Sequence, residues 1–147
     1  MRSECLPRHS AVAYLFLVRS MPAAITRPTL DRPITPQEAA VIRATLKQAA
    51  TLPELPHLFD TVDQLHAISR CGCGCDSVDF ARHHPGVDSK TIGDGVGTTP
   101  TGGRVGVIVW GTEHGITGLE IYSLGAGDDD LRLPIPESIH LFVPTQT

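Results

Sequence analysis

The sequence predicts an α+β domain: one N-terminal capped helix packed on an antiparallel sheet of about four strands. Three observations predict it. A helix-start signature at Thr35-Pro36-Gln37-Glu38 opens a stripe of apolar residues with helical spacing. Leu65–Arg70, Ser77–Arg82, Arg104–Trp110 and Ile116–Leu124 then have the length and patterning of strands. Short turn-rich links join some of them, and no strand–helix–strand alternation follows the single helix, so antiparallel pairing is the expected arrangement. At 147 residues the chain has the size of one domain and can bury a core without disulfides.

Met1 to Pro33 reads as a tail ahead of a single domain spanning 34–147. Ala11–Val18 (AVAYLFLV) follows Arg2, Arg8 and His9, the order of a short export signal. Glu4 and Arg19 flank it unfavourably, and Met21 offers an alternative start. A tail or mis-assigned start, a weak signal and an ordered strand therefore stand side by side. Cysteine arithmetic favours the cytoplasm: cleavage would remove Cys5 and leave an odd three, packed too tightly for good disulfide geometry. Pro22, Pro28 and Pro33 make an extended lead-in.

The helix begins at Thr35, whose side chain can cap the backbone while Glu38 reaches back, with Pro36 where a missing N–H costs nothing. Val41, Ile42, Leu46 and Ala49 form its apolar stripe to about Ala50. Pro53 and Pro56 stop it, and His57–Asp63 has room for one more helical turn. After the strand pair around residues 65–82, His83-His84-Pro85-Gly86 ends the pattern. Val87–Gly103 is rich in Gly, Thr and Asp and reads as a long loop with little to bury. Arg104–Trp110 is apolar on both faces, as a central strand should be. Gly111–Gly115 is a hairpin turn, and Ile116–Leu124 alternates once more. Leu131–Val143, punctuated by prolines, reads as an irregular cover over the sheet.

Several function classes are excluded or demoted. Net charge is −4 and no long basic run exists, which removes phosphate neutralisation and hence nucleic acid as a partner. No apolar run approaches the ~18 residues of a membrane span. Thr91–Gly103 lacks both G-x-G-x-x-G and a Gly-Lys-Ser/Thr ending and leads into a strand, so the usual nucleotide loops do not apply. Asp128, Asp129 and Asp130 lack the ligand spacing of a calcium loop. His66 reads as a hydrogen-bonded strand residue, and Glu113 with His114 as a solvated turn.

The chemistry-bearing stretch is Cys71-Gly72-Cys73-Gly74-Cys75, three of the four cysteines in five residues. Thiolates are soft ligands for zinc or copper(I), and His83 or His84 could complete a tetrahedral set. Spacing sets a condition. Residues i and i+2 of a flat strand lie about 6.6 Å apart, whereas two sulfurs sharing one zinc lie no more than roughly 4 Å apart. One ion therefore requires the segment to curl, which Gly72 and Gly74 permit but do not impose. Two competing readings are a reactive thiol, which would need a cation or helix N-terminus to lower its pKa, and small buried hydrophobes with a structural role. Asp79 and Glu120 fall on one face of a meander; such a pair could act as acid and base in a small hydrolase, or simply face solvent.

Arg70-Cys71-Gly72-Cys73-Gly74-Cys75-Asp76-Ser77-Val78, with Gly118-Leu119-Glu120-Ile121-Tyr122-Ser123 downstream, resembles a group of small bacterial proteins with an Arg-Cys-x-Cys-Gly-Cys-x-Ser-Val-type centre. The resemblance spans roughly Ile34 to Pro136 and implies a leading helix and a late strand, and it favours Met21 as the start. It carries no activity. The expectation is thus a cytoplasmic binding or accessory module, without assigned catalysis, whose cysteine–glycine turn meets a protein or small ligand. The alternative is a metal-binding or thiol-redox protein using Cys71, Cys73 and Cys75, with zinc as the candidate ion.

Overall fold

The computed structural model describes residues 27–49, 57–81, 88–125 and 130–141. Its elements in chain order are β1 (Thr29–Pro33), α1 (Pro36–Gln48), α2 (His57–Thr61), β2 (His66–Arg70), β3 (Val78–Asp79), β4 (Lys90–Thr98), β5 (Arg104–Thr112) and β6 (Gly115–Ser123). The α+β class holds, with two short helices and one antiparallel sheet. That sheet has six strands rather than about four, in the order β1-β2-β3-β6-β5-β4.

Helix α1 starts as its sequence dictates. The Thr35 hydroxyl accepts from the Glu38 amide at 3.1 Å, and the Thr35 amide donates to the Glu38 carboxylate at 2.9 Å. Arg32 adds a two-pronged bond to the same carboxylate, at 2.7 and 3.0 Å, from the end of β1. Burial alone would raise the Glu38 carboxyl pKa. The Arg32 guanidinium, the Thr35 amide and the Thr35 hydroxyl outweigh it and hold that pKa below its ordinary value. The helix buries Val41, Ile42 and Leu46 in one cluster with Ile92 of β4, Val105, Val107 and Val109 of β5 and Leu119 and Ile121 of β6. Aliphatic packing of this kind supplies most of the folding free energy.

The two additional strands, β1 and β4, are disguised by composition. Thr29–Pro33, in the proline-punctuated lead-in, pairs with β2 as an edge strand, where proline is tolerated. Lys90–Thr98 falls within the stretch expected to be a loop, yet it pairs along its whole length with β5. Its glycines are there for close approach. A Cβ on Gly97 would stand 2.7 Å from the Cβ of Pro134, and one on Gly93 would stand 3.2 Å from Leu46. Glycine in this strand lets the helix and the C-terminal cover rest on bare backbone.

That cover, residues 130–141, is irregular as expected, and it closes the outer edge of β4. The Val96 amide donates to the His140 carbonyl at 2.8 Å, and the His140 amide returns the bond at 3.0 Å. At β3 the regular pairing is only two residues long, shorter than Ser77–Arg82, and it joins β2 to β6. The chain therefore crosses from β3 to the far edge before returning through β5 to β6, rather than meandering.

Candidate metal-binding turn

The link from β2 to β3 is the cysteine turn. The Cys71 amide donates to the Ser77 carbonyl at 3.1 Å and closes the segment as a tight loop. Within it Gly74 adopts φ +89°, a left-handed conformation that a residue with a Cβ enters only at a cost. The stretch is therefore curled, not flat. All three sulfurs lie within 4.8 Å of one another. The Cys71 and Cys73 sulfurs are 2.9 Å apart, and the Cys75 amide points at the Cys73 sulfur from 3.4 Å. The curl that the i, i+2 spacing left open is present, and it gathers the three sulfurs to within 4.8 Å.

The curl is anchored at both sides. Cys75 is 7% exposed, and its thiol donates to the Ser77 hydroxyl at 3.2 Å. Ser77 in turn is locked to β6: its oxygen accepts from the Ile121 amide at 2.9 Å and donates to the Ile121 carbonyl at 3.3 Å. On the other side the Asp76 carboxylate accepts from the Leu133 amide at 2.8 Å and from Arg132 at 3.3 Å, while its own amide donates to the Leu131 carbonyl at 3.0 Å. Ser77 and Asp76 are thus the positioning residues of the turn. Only the Ser-Val motif hinted at the first, and nothing local in the sequence marks the second.

Protonation and oxidation differ among the three sulfurs. Burial pushes the Cys75 thiol pKa up, with the neighbouring Cys71 adding to the rise and Ser77 offsetting part of it. Such a thiol is a poor nucleophile at neutral pH. Cys71 and Cys75 carry thiols. Cys73 is disulfide-bonded, so it would serve as a thiolate ligand only in its reduced form. His83 and His84, the expected additional ligands, lie outside the described residues, as do Cys5, the Ala11–Val18 run and Met21.

The second candidate constellation takes a form the sequence reading did not anticipate. Register and alternation do put Asp79 and Glu120 on the sheet face opposite Val78, Leu119 and Ile121. That face is not solvated around them: Asp79 is 7% and Glu120 8% exposed. Each carboxylate is engaged. Asp79 accepts from Arg27 and from the Ser69 hydroxyl, the latter at 2.7 Å. Glu120 accepts from the Trp110 indole at 2.7 Å. Donors of this kind fix buried carboxylates in place, as buried charge requires. The minor candidates fall where the residues suggested. His66 bonds Asp31 across β1 and β2, and Glu113 with His114 is exposed at the β5–β6 turn.

Fold and turn together define a small α+β protein carrying a clustered three-cysteine loop. No protein-family model matches the chain, and no curated protein or solved structure matches it significantly. No helix among the described residues is long and apolar enough to cross a membrane. The chemistry of the turn accordingly rests on its own geometry.

Proposed function

We propose that the Cys71–Cys75 turn is a thiolate site for one soft metal ion, zinc in the first instance, carried by a small accessory module of the cytoplasm. The observation that carries this reading is the convergence of three sulfurs within 4.8 Å in a loop of five residues. Three sulfurs around zinc at about 2.3 Å each would stand roughly 3.8 Å apart. Small side-chain rotations, opening the Cys71–Cys73 pair and closing the widest one, reach that spacing. The Cys75 amide directed at Cys73 is the kind of donor that steadies a metal-bound thiolate.

One further feature agrees with a resident ion: a raised Cys75 pKa is unsuited to nucleophilic work, but it is overcome when a dication displaces the proton. The test is elemental analysis of anaerobically purified, reduced protein. Close to one zinc or copper per chain, lost in a Cys73→Ser variant, is the expected result, with protons released on reloading. Metal-free protein that takes up neither ion would end the proposal.

A second reading keeps the module and dispenses with the ion. The bond from Cys75 to Ser77, in a nearly closed environment, favours a structural cysteine there. On that reading the turn is a rigid recognition surface for a protein or small ligand, and cysteine-to-alanine changes cost stability without changing metal content.

A further inference from the structure

We infer that the cysteine turn controls how firmly the outer edge of β4 is covered: a metal-loaded turn holds residues 131–140 against that edge as a strap, through Asp76. This inference rests on the metal reading above and adds what occupancy does to the rest of the fold. Asp76 directly follows Cys75. Its carboxylate accepts from the Leu133 amide at 2.8 Å and from Arg132 at 3.3 Å, and its amide donates to the Leu131 carbonyl at 3.0 Å. Just beyond Leu133 the strap is bound to β4. The Ile135 amide donates to the Thr98 carbonyl at 2.8 Å, and the Thr98 amide donates to the Ser138 hydroxyl at 2.8 Å. Val96 and His140 then exchange both backbone bonds. The strap thus runs from the β2–β3 turn to the far edge of the sheet, past β6 and β5.

The link between the two anchors is short and stiff. It reads Leu133-Pro134-Ile135-Pro136, in which each proline ring fixes its own φ and keeps the residue before it extended. Leu133 is buried in the core cluster, and Pro134 rests where a side chain on Gly97 would be. A displacement of Asp76 is therefore passed on to Thr98 and Val96 instead of being absorbed on the way. One ion shared by three sulfurs fixes the backbone on which Asp76 stands, so the strap docks on a turn that is already ordered. Without the ion, docking the strap must order the turn as well, and the strap opens more often. Linkage makes the coupling reciprocal, so whatever tightens the strap also tightens the hold on the ion. The edge is worth closing, because a bare strand edge offers its backbone donors and acceptors to any other chain.

The experiment follows amide hydrogen exchange in the full, reduced chain, with zinc itself as the probe and a chromophoric chelator to report its binding. The amides of Val96, Thr98, Ile135 and His140 report the strap. Their rates are taken relative to Val107 of β5, so that a general gain in stability cancels. In the parent chain, saturating zinc should slow the four amides about tenfold, within the roughly 5–150-fold usual for coupled sites. Asp76→Ala should still bind zinc, more weakly, and the slowing should fall below about twofold. A merely structural Asp76 would speed exchange equally with and without zinc; a zinc response that survives intact in this variant overturns the route through Asp76. Pro134→Ala applies the same test without touching the turn. It keeps a Cβ beside Gly97, frees the link, and should likewise diminish the response; an undiminished one overturns the stiff link. A parent chain that binds zinc with no change at the four amides overturns the coupling and leaves the metal site standing. A reduced chain that binds no zinc overturns both.

Discussion

Gly74 is the residue on which the geometry of the turn depends. Its φ of +89° is what folds the chain back so that Cys73 and Cys75 converge with Cys71. An added Cβ would meet no neighbour within 4 Å, so substitution there is a test of backbone conformation and not of packing. Gly74→Ala is expected to cost about 1–2 kcal/mol, the usual strain of a left-handed alanine, and to weaken zinc binding well beyond what a packing-neutral change should. Titration of the variant beside the parent chain checks it. Unaltered zinc affinity would mean that the sulfurs converge without the curl. From the sequence the glycines could be read as permitting a curl. They could not be read as imposing one, because what holds the loop closed is remote: the Ile121 backbone on Ser77 and the Leu133 amide on Asp76.

At the scale of the element, helix α1 and strand β4 mark the two ends of what a sequence discloses. The helix start was legible because every participant in the capping box lies within four residues. Thr35→Ala should cost about 1 kcal/mol in denaturant unfolding. Glu38 gives this corner a pH dependence whose sign follows from its lowered pKa. A carboxyl depressed on folding contributes stability above its unfolded pKa and loses it as pH falls through the folded value. The stability gap between the parent chain and Glu38→Gln should therefore be full at neutral pH and shrink below about pH 4; urea melts at several pH values measure it. Strand β4 was illegible for the opposite reason. Gly93, Gly95 and Gly97 look like loop residues until Leu46, Ile139 and Pro134 are seen resting where their side chains would be. Gly97→Ala should destabilise the fold by about 1–3 kcal/mol, as overpacking does. A thermal melt showing no loss would contradict the close contact with Pro134.

Across the whole molecule, the turn links β2 to β3 and its cysteines lie outside the main buried cluster, which joins α1 to β4, β5 and β6. The ion should therefore tune stability without being required for folding. Zinc at a hundred times its dissociation constant adds about 2.7 kcal/mol, which for a chain of this size is a rise of roughly 5–10 °C in Tm. A chelator should reverse that rise and leave a cooperative transition behind. Complete unfolding on chelation would make the ion a structural linchpin instead. At this scale the sequence disclosed the α+β class and pointed to the three clustered cysteines. It concealed the sheet order, since β3 joins β6 across an intervening hairpin. It also concealed the engagement of Asp79 and Glu120, since Arg27, Ser69 and Trp110 reach them from 10 to 52 positions away.

The central claim, that three sulfurs of one short turn share one ion, is tested most directly by X-ray absorption at the zinc edge of the reduced, loaded chain. The account predicts a shell of three sulfurs at about 2.3 Å, disrupted in Cys73→Ser. A first shell of oxygen and nitrogen alone, or a spectrum indifferent to Cys73, would contradict it.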